Sequence, residues 1–292
     1  MRDRLITYRN AASALTPEEG TRVLRAFADQ NRIAFLLSCA CNCETIDDLP
    51  LGIRGPISEL FSYSFNLLTL LGVRDECYRV IYSATPHHVC AFCGLEYFEA
   101  PGAPREALDH FLARSLYPFA AANLHNLVPM GHKCNSNYKL SQDILRGTGG
   151  VRRRSFNPYG MVAGIRISLS ESEPFAGRDG QTPAWQIAFD PDSEEVTTWD
   201  TIFRIRTRYA RDILDEEFKN WLTNFWDWCR RAEINLNSER TLLHALERYV
   251  GCHEDCGLSD RSFLKAAMFR MLLKHCQEGN ARLIQLLLGR TE

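Results

Sequence analysis

Apolar residues recur at helical spacing through the first 85 residues, and the local capping signals agree with that pattern. The segment "LTPEEGTRVLRAFADQN" has Thr16 as an N-cap, Pro17 at the first helical position and Glu19 placed to close a capping box. A second apolar helix is predicted over "RIAFLLSCAC", and a third over "PISELFSYSFNLLTLLG", which ends at Gly72. The pattern therefore predicts a helical N-terminal region over residues 1–85.

The second half of the chain alternates between two patterns. The segments "MVAGIRISLS", "AWQIAFD" and "EVTTWD" have β-like alternation with turn residues around them, which predicts a short β-rich segment over 160–200. Helical spacing returns over 201–290, beginning with the aromatic-rich "YARDILDEEFKNWLTNFWDWCRR". The last two helices, "SERTLLHALERYVG" and "SDRSFLKAAMFRMLLKHCQEG", each begin at a Ser cap and end near a Gly.

The stretch between these helical regions is rich in cysteine, histidine and turn residues. The sequence thus divides into a helical region at 1–85, a compact region at 86–150, and a mixed region at 151–292. The predicted fold class is α+β, for a mostly helical chain with little strand.

Composition narrows the function classes only slightly. Of 292 residues, 45% are apolar and 24% charged, so the chain can bury a large core without help from disulfides. The net charge of −2 makes no global case for nucleic-acid binding. The N-terminal "MRDRLITYRN" lacks a secretory h-region, and no apolar run is long enough to span a bilayer. We therefore expect a cytoplasmic protein without a membrane partner, in which paired cysteines bind metal or are buried as hydrophobes.

Positive charge is concentrated locally. The stretch 133–166 contains seven basic residues and only Asp143 as an acidic one. Since neutralisation of phosphates dominates nucleic-acid affinity, this stretch is the predicted contact with a nucleic-acid backbone. The alternative is a solvated charge run. The residues assigned to this contact are Lys133, Lys139, Arg146, Arg152, Arg153 and Arg154.

Four features that carry chemistry follow one another in residues 90–139. They are the pair Cys90 and Cys93, the pair Asp109 and His110, an Asn before a short apolar strand in "HNLVP", and "KCNSNYK", which is predicted to open a helix through "LSQDIL". A histidine can take a proton from water, and a carboxylate beside it suits a hard divalent ion. Since neighbouring residues of a strand point to opposite faces, Asp109 and His110 need a twisted strand to serve one phosphate.

The order and spacing of these features resemble the HNH endonucleases, also called ββα-metal or His-Me finger nucleases. The resemblance covers residues 90–139 only. It implies a small zinc-stabilised ββα-metal core in which His110 is the general base and Asp109 and Asn135 bind a catalytic Mg²⁺ or Mn²⁺. Asn126 would orient the loop that carries His110, and Lys139 would contact a phosphate. The resemblance implies hydrolysis of DNA, with double-stranded DNA as the expected substrate. The implied context is restriction or anti-phage defence.

The structural zinc site departs from the family pattern, which has a second CxxC. Here Cys134 is present, but Gly131 occupies the position three residues before it. Because imidazole is an ordinary zinc ligand, we predict a Cys3His site formed by Cys90, Cys93, His132 and Cys134. Three other histidines remain candidates for the fourth ligand, and loss of the zinc is a further alternative. These histidines are His87, His88 and His125.

Two other classes of function remain open. A non-catalytic zinc module that binds nucleic acid or protein would not need Asp109 and His110. A structural subunit, or a homo-oligomer, would use the aromatic stripe of the C-terminal helices as its interface, although such a stripe is more often core. The stripe consists of Trp221, Phe225, Trp226 and Trp228.

Overall fold

The structure, a computed structural model, describes residues 1–103, 108–160 and 164–289. It divides the chain into two compact units, Met1–Ala163 with Glu194–Phe203, and Gly164–Ser193 with Arg204–Glu292. The described residues are mostly helical and include two small sheets of two strands each, which agrees with the predicted α+β class. The regions 1–85 and 86–150, separated in the sequence reading, both fall in the first unit.

The helices of the first unit come before its strands, apart from one that is supplied by a later segment. They are α1 (Arg2–Ser13), α2 (Pro17–Gln30), α3 (Ile33–Leu37), α4 (Leu51–Leu70), α5 (Val73–Ala84) and α6 (Glu194–Phe203). The predicted start of α2 is confirmed. The Thr16 side chain accepts a hydrogen bond from the Glu19 backbone N–H (3.2 Å), and the Thr16 backbone N–H donates to the Glu19 carboxylate (2.9 Å).

Two helix boundaries in this region differ from prediction. The helix expected over "RIAFLLSCAC" is only Ile33–Leu37, since Cys39 has a φ of 59° and leaves the helical conformation. The next helix begins at Leu51, before the predicted start, and contains Pro56. Pro56 is the sixth residue of this helix, beyond the first turn, so its lack of an N–H removes one backbone hydrogen bond of the helix.

The core of the first unit joins these helices to the loop between its two strands. Phe119, from the 3₁₀ turn Pro118–Ala120, packs edge-on against Phe27 of α2 and Phe61 of α4. The fully buried Gln30 fixes the same contact, because its side-chain oxygen accepts from the Phe119 N–H (2.9 Å) and its amide donates to the Glu44 carbonyl (2.9 Å). The helices thus hold the loop both by apolar packing and by hydrogen bonds.

The sheet of the first unit pairs β1 (Leu108–His110) with β2 (Leu127–Pro129), antiparallel, with Asp109 opposite Val128. The predicted strand after Asn126 is present. The helix predicted through "LSQDIL" is wrong, because a π-helical turn covers Cys134–Lys139 and Leu140 then has a φ of 49°. Asp143 also competes with helix formation, since its carboxylate accepts from the Leu145 N–H (2.8 Å).

The second unit contains the other sheet and the remaining helices. β3 (Arg166–Ser168) pairs antiparallel with β4 (Ala188–Asp190). A short helix α7 (Ile205–Arg208) leads through a π-helical turn, Tyr209–Leu214, into α8 (Asp215–Arg231). The chain continues with α9 (Glu239–Asp255), α10 (Ser262–Gln277) and α11 (Ala281–Leu287).

The expected β-rich segment at 160–200 is largely wrong. It contributes three-residue strands, and part of it, 161–163, lies outside the described residues. "EVTTWD" forms α6, for which Glu194 and Glu195 supply the acidic first turn that suits a helix dipole.

The aromatic stripe packs within the second unit. Trp221 and Phe225 are buried, Trp226 donates to the Leu287 carbonyl (2.9 Å), and Trp228 packs on Tyr249 at 5.1 Å between ring centroids. The interpretation of the stripe as core is confirmed for the two buried members. Within the described parts of the chain, no helix has the length and apolar character needed to cross a membrane.

Replacing Gln30 by Leu should lower the free energy of unfolding by about 1–3 kcal/mol, because the buried Phe119 N–H would lose its acceptor. Denaturant unfolding measures this loss. The matched control is Gln285→Leu, at an exposed position, which should change stability little. Equal effects of the two substitutions would contradict the role given to Gln30.

Candidate functional site

The paired strands bring Asp109 and His110 together. The Oδ1 atom of Asp109 lies 3.7 Å from Nδ1 of His110, so the two neighbouring side chains meet at one point despite their alternation along β1. The His110 residue is only 6% exposed, whereas the Asp109 side chain is 30% exposed. Asp109 therefore forms the open side of the candidate site, and the imidazole lies behind it.

The other nitrogen of the His110 ring is held by the backbone. Nε2 lies 2.9 Å from the carbonyl oxygen of Ala121, which can only accept a hydrogen bond, so Nε2 carries the proton. In the neutral ring the lone pair is then on Nδ1, the atom that faces Asp109. This arrangement gives His110 the tautomer that a general base needs at that position.

The charge of Asp109 is supported by its surroundings. Burial raises the pKa of the Asp109 carboxyl, but the His110 side chain, its backbone amide and the ammonium of Lys139 together lower it by more. The contribution of the His110 side chain applies to the protonated ring, in which Nδ1 can donate to the carboxylate. The pKa therefore lies below its usual range, and Asp109 is ionised at neutral pH. Burial in turn lowers the pKa of Lys139, and the carboxylate of Asp109 partly offsets that effect.

Asn126 is fully buried and closes the loop that follows β1. Its side-chain oxygen accepts from the Leu112 N–H (2.7 Å), and its amide donates to the carbonyls of Leu112 and Ala120 (3.2 Å each). The last of these carbonyls adjoins the one that holds the His110 ring. Asn126 therefore helps to fix the loop whose backbone contacts the His110 ring, and its orienting role stays a prediction.

Asn135 and Lys139 lie on the π-helical turn. Asn135 is half-buried, and its backbone carbonyl accepts from the Leu140 N–H that ends the turn (2.9 Å). Lys139 is only 1% exposed and its ammonium donates to the Leu140 carbonyl (3.3 Å), so it is less open to a phosphate than expected.

Asp109 belongs to no group of three acidic, cysteine or histidine side chains close enough to share an ion, so the catalytic metal there stays a prediction for the described residues.

One further side chain contacts His110 and two arginines stack on that side chain, and none of the three is part of the motif. Phe65 of α4 packs on the imidazole with ring centroids 4.3 Å apart. The guanidinium groups of Arg74 and Arg114 lie over the same Phe65 ring, at 4.6 and 5.8 Å. Arg74 also donates to the Leu108 carbonyl (2.8 Å), whereas Arg114 is exposed. No local motif signals the contacts of Phe65 and Arg74, because α4 and α5 are distant from the Asp-His pair in sequence.

Three of the predicted zinc ligands do come together. The sulfur atoms of Cys90, Cys93 and Cys134 all lie within 4.8 Å of one another, and the three residues are buried. A tight turn brings the first two together, in which the Cys90 carbonyl accepts from Cys93 N (3.2 Å) and Gly94 N (2.8 Å). Gly94 has a φ of 63°, which a residue with a side chain rarely adopts.

The thiol chemistry of this cluster fits a metal ion. None of the eleven cysteines, all of them within the described residues, forms a disulfide. Hydrogen bonding to the two neighbouring thiols and burial raise the pKa of Cys134. Three thiolates packed this closely repel one another, and a bound cation removes that repulsion. The cluster can therefore hold a metal ion.

The prediction of His132 as the fourth ligand is not supported. His132 is exposed and is not grouped with the three sulfur atoms in the described structure. It begins a helical turn, in which successive residues are rotated by about 100°, so a step of one residue from Gly131 turns the side chain away. The alternatives His87, His88 and His125 are not grouped with the sulfurs either, and the rings of the last two pack on Tyr82 and Tyr159.

Most of the predicted phosphate-binding arginines serve the fold. Arg152 donates to the carbonyls of Leu145, Leu36 and Cys41. Arg146 donates to the Cys43 carbonyl, and Arg153 to the carbonyls of Ile144 and Asp143. The phosphate-contact prediction has no support at these three positions.

The exposed members of the basic set are Lys133 and Arg154, the second of which lies 3.9 and 4.0 Å from the carboxylates of Glu194 and Glu195.

Comparison with known proteins adds nothing to these observations, since no family model, curated protein or solved structure matches the chain.

We expect one divalent metal ion per chain at the cysteine cluster, and Cys134→Ser should remove it. Elemental analysis of the purified protein measures the bound metal. A chelator should lower the thermal unfolding midpoint of the wild type, because a ligand that binds only the folded state stabilises it. The control is Cys252→Ser, at an exposed cysteine. Full metal content in the Cys134 variant would contradict the assignment.

Proposed function

We propose that this protein is a metal-dependent endonuclease of the HNH type that hydrolyses DNA phosphodiester bonds. The observation that carries the proposal is the pairing of Asp109 with an imidazole whose Nε2 atom is held by the Ala121 carbonyl. A zinc scaffold has no need of an oriented histidine beside an ionised carboxylate. The resemblance in residues 90–139 supports the same conclusion.

The residues suggest a division of roles. Nδ1 of His110 takes the proton of the attacking water, and Asn126 and the Ala121 carbonyl keep the ring in position. Asp109, ionised and partly exposed, fits a hard divalent cation, and Asn135 is the second proposed ligand. A Mg²⁺ or Mn²⁺ ion bound there would supply a positive charge for the developing phosphate charge.

The cysteine cluster would hold a structural Zn²⁺, because buried thiolates in a small core are typical ligands of that ion. Cys134 begins the turn on which Asn135 and Lys139 lie, so the zinc would fix that turn relative to the first knuckle, which is the turn that carries Cys90 and Cys93. We further propose a cytoplasmic protein that acts in restriction or anti-phage defence. That context is supported by the resemblance alone.

A second candidate is a non-catalytic zinc module that binds nucleic acid or protein. The observation in its favour is the commitment of Arg146, Arg152 and Arg153 to backbone carbonyls, which reduces the basic surface beside the candidate site and so favours the protein-binding form of this module. Homo-oligomers or partner complexes through the C-terminal helices have less support, since the aromatic stripe packs within its own unit.

His110→Ala should lower cleavage of plasmid DNA in Mg²⁺ or Mn²⁺ by about 10²–10⁴-fold, the usual contribution of a general base. Nicked and linear products on a gel measure the rate, with single-stranded DNA and RNA as alternative substrates. The control is His125→Ala, which changes an exposed histidine in the loop between β1 and β2. Circular dichroism and metal content must stay at wild-type values in both variants.

Wild-type cleavage by the His110 variant would refute the mechanism. A wild-type protein that binds metal at the cysteine cluster but cuts none of these substrates would favour the binding module.

Arg114→Ala should weaken DNA binding and reduce its salt dependence, because an exposed guanidinium beside the site can neutralise a phosphate. The slope of the affinity against salt concentration should fall by about one counterion. Arg25→Ala, an exposed arginine on α2, is the matched control. An unchanged slope for Arg114→Ala would exclude Arg114 from the interface.

A further inference from the structure

The space left by Gly131 is occupied by another side chain. Gly131 lies at the position where the family pattern has its fourth zinc-binding cysteine, and its own amide interacts with the Cys90 sulfur. A Cβ atom built on Gly131 would lie 2.6 Å from Oε2 and 2.8 Å from Cδ of Glu96. The Glu96 carboxylate therefore fills the place that a side chain at residue 131 would take.

Glu96 follows the turn that carries Cys90 and Cys93, and its side chain contacts the segment that carries Cys134. Its backbone carbonyl accepts from the Cys90 N–H (2.8 Å). Its carboxylate oxygens accept from the backbone N–H groups of Lys133 (3.0 Å) and Cys134 (3.4 Å). The carboxylate thus lies between the two halves of the cysteine cluster, three residues after Cys93.

One of the distances is close to that expected for a shared ion. Oε2 of Glu96 lies 4.0 Å from the Cys93 sulfur. A tetrahedral zinc with Zn–S near 2.3 Å and Zn–O near 2.1 Å places sulfur and oxygen about 3.6 Å apart. The Cys93 pair is thus about 0.4 Å longer than in a coordinated site. Glu96 is not in the group whose ligand atoms all lie within 4.8 Å of one another, so its side chain must also move towards at least one of the other two sulfurs when the ion binds.

We propose that Glu96 is the fourth ligand, so that Cys90, Cys93, Cys134 and Glu96 form a Cys3Glu zinc site. The inference rests on the structural zinc of the proposed function and is independent of catalysis. A carboxylate carries the same charge as the thiolate it replaces, so the site keeps the net charge of a four-cysteine site, which an imidazole would not. Gly131 is required because any larger residue would displace the carboxylate.

A competing explanation is that Glu96 only holds the N-terminal end of the helical turn through Lys133 and Cys134. Glu96→Gln removes the charged ligand and keeps an acceptor for only one of the two amides, so the ligand role is measured by the Co²⁺ spectrum and not by the loss of affinity alone. Gly131→Ala displaces the carboxylate from the opposite side. The double variant Glu96→Ala with Gly131→Cys replaces the carboxylate by a thiol at residue 131.

Zinc affinity is measured by chelator competition, and the ligand set by the visible spectrum of the Co²⁺-substituted protein. Loss of a group next to a metal costs about 10–100-fold in affinity even when it is not a direct ligand. We therefore expect at least a tenfold loss in the Glu96→Gln and Gly131→Ala variants, and an altered Co²⁺ spectrum. The double variant should regain affinity and give a four-sulfur spectrum.

His132→Ala is the matched control and should leave both the affinity and the spectrum unchanged. The proposal is overturned if Glu96→Gln keeps the wild-type affinity and Co²⁺ spectrum, or if His132→Ala alters them. Absence of zinc binding by the wild type would also overturn it. Because none of these measurements involves DNA, failure of the ligand assignment is distinguishable from failure of the nuclease proposal.

Discussion

The buried amide of Asn126 is the interaction on which the candidate site depends. Its hydrogen bonds to the backbone of Leu112 and Ala120 hold the loop between β1 and β2 in one conformation. The two consequences of that loop are chemical and structural. The Ala121 carbonyl sets the tautomer of His110, and Phe119 inserts between α2 and α4. The orientation of the histidine and the anchoring of the core to the helices therefore share one support.

This dependence explains why a small strand pair is accompanied by a large helical region. Two strands of three residues bury too little apolar surface to be stable alone. Here α2 and α4 pack on Phe119, α4 places Phe65 on the His110 ring, and α5 supplies Arg74 to the Leu108 carbonyl. Arg152, which follows the core, donates to the Leu36 carbonyl of α3 and so connects the core to another helix. Positive charge close to a candidate nuclease site is thus used for folding.

Local signals in the sequence were sufficient where the determining contacts are local. The capping box of Thr16 is set by residues within a few positions. The strand after Asn126 pairs with the distant β1, but its own short apolar run was enough to predict it. The alternation of apolar and polar residues in "EVTTWD" wrongly predicted a strand, because the acidic first turn of this segment favours a helix. Helical continuity misled after Lys139, where Asp143 binds the backbone in a competing turn. The contacts of Phe65 and Arg74 join distant segments, and no pattern of spacing contains them.

The metal cluster illustrates the same limit most clearly. A search for the missing ligand near Gly131 in sequence leads to His132, but a helical turn points that residue to solvent. The carboxylate that fills this position belongs to Glu96, which follows the first knuckle. In the sequence, only the missing side chain at Gly131 indicates it. A glycine at a ligand position can thus mean that the ligand has moved to a different segment. Because Glu96 also binds the amides of Lys133 and Cys134, the same carboxylate would couple metal binding to the start of the turn that carries Asn135 and Lys139.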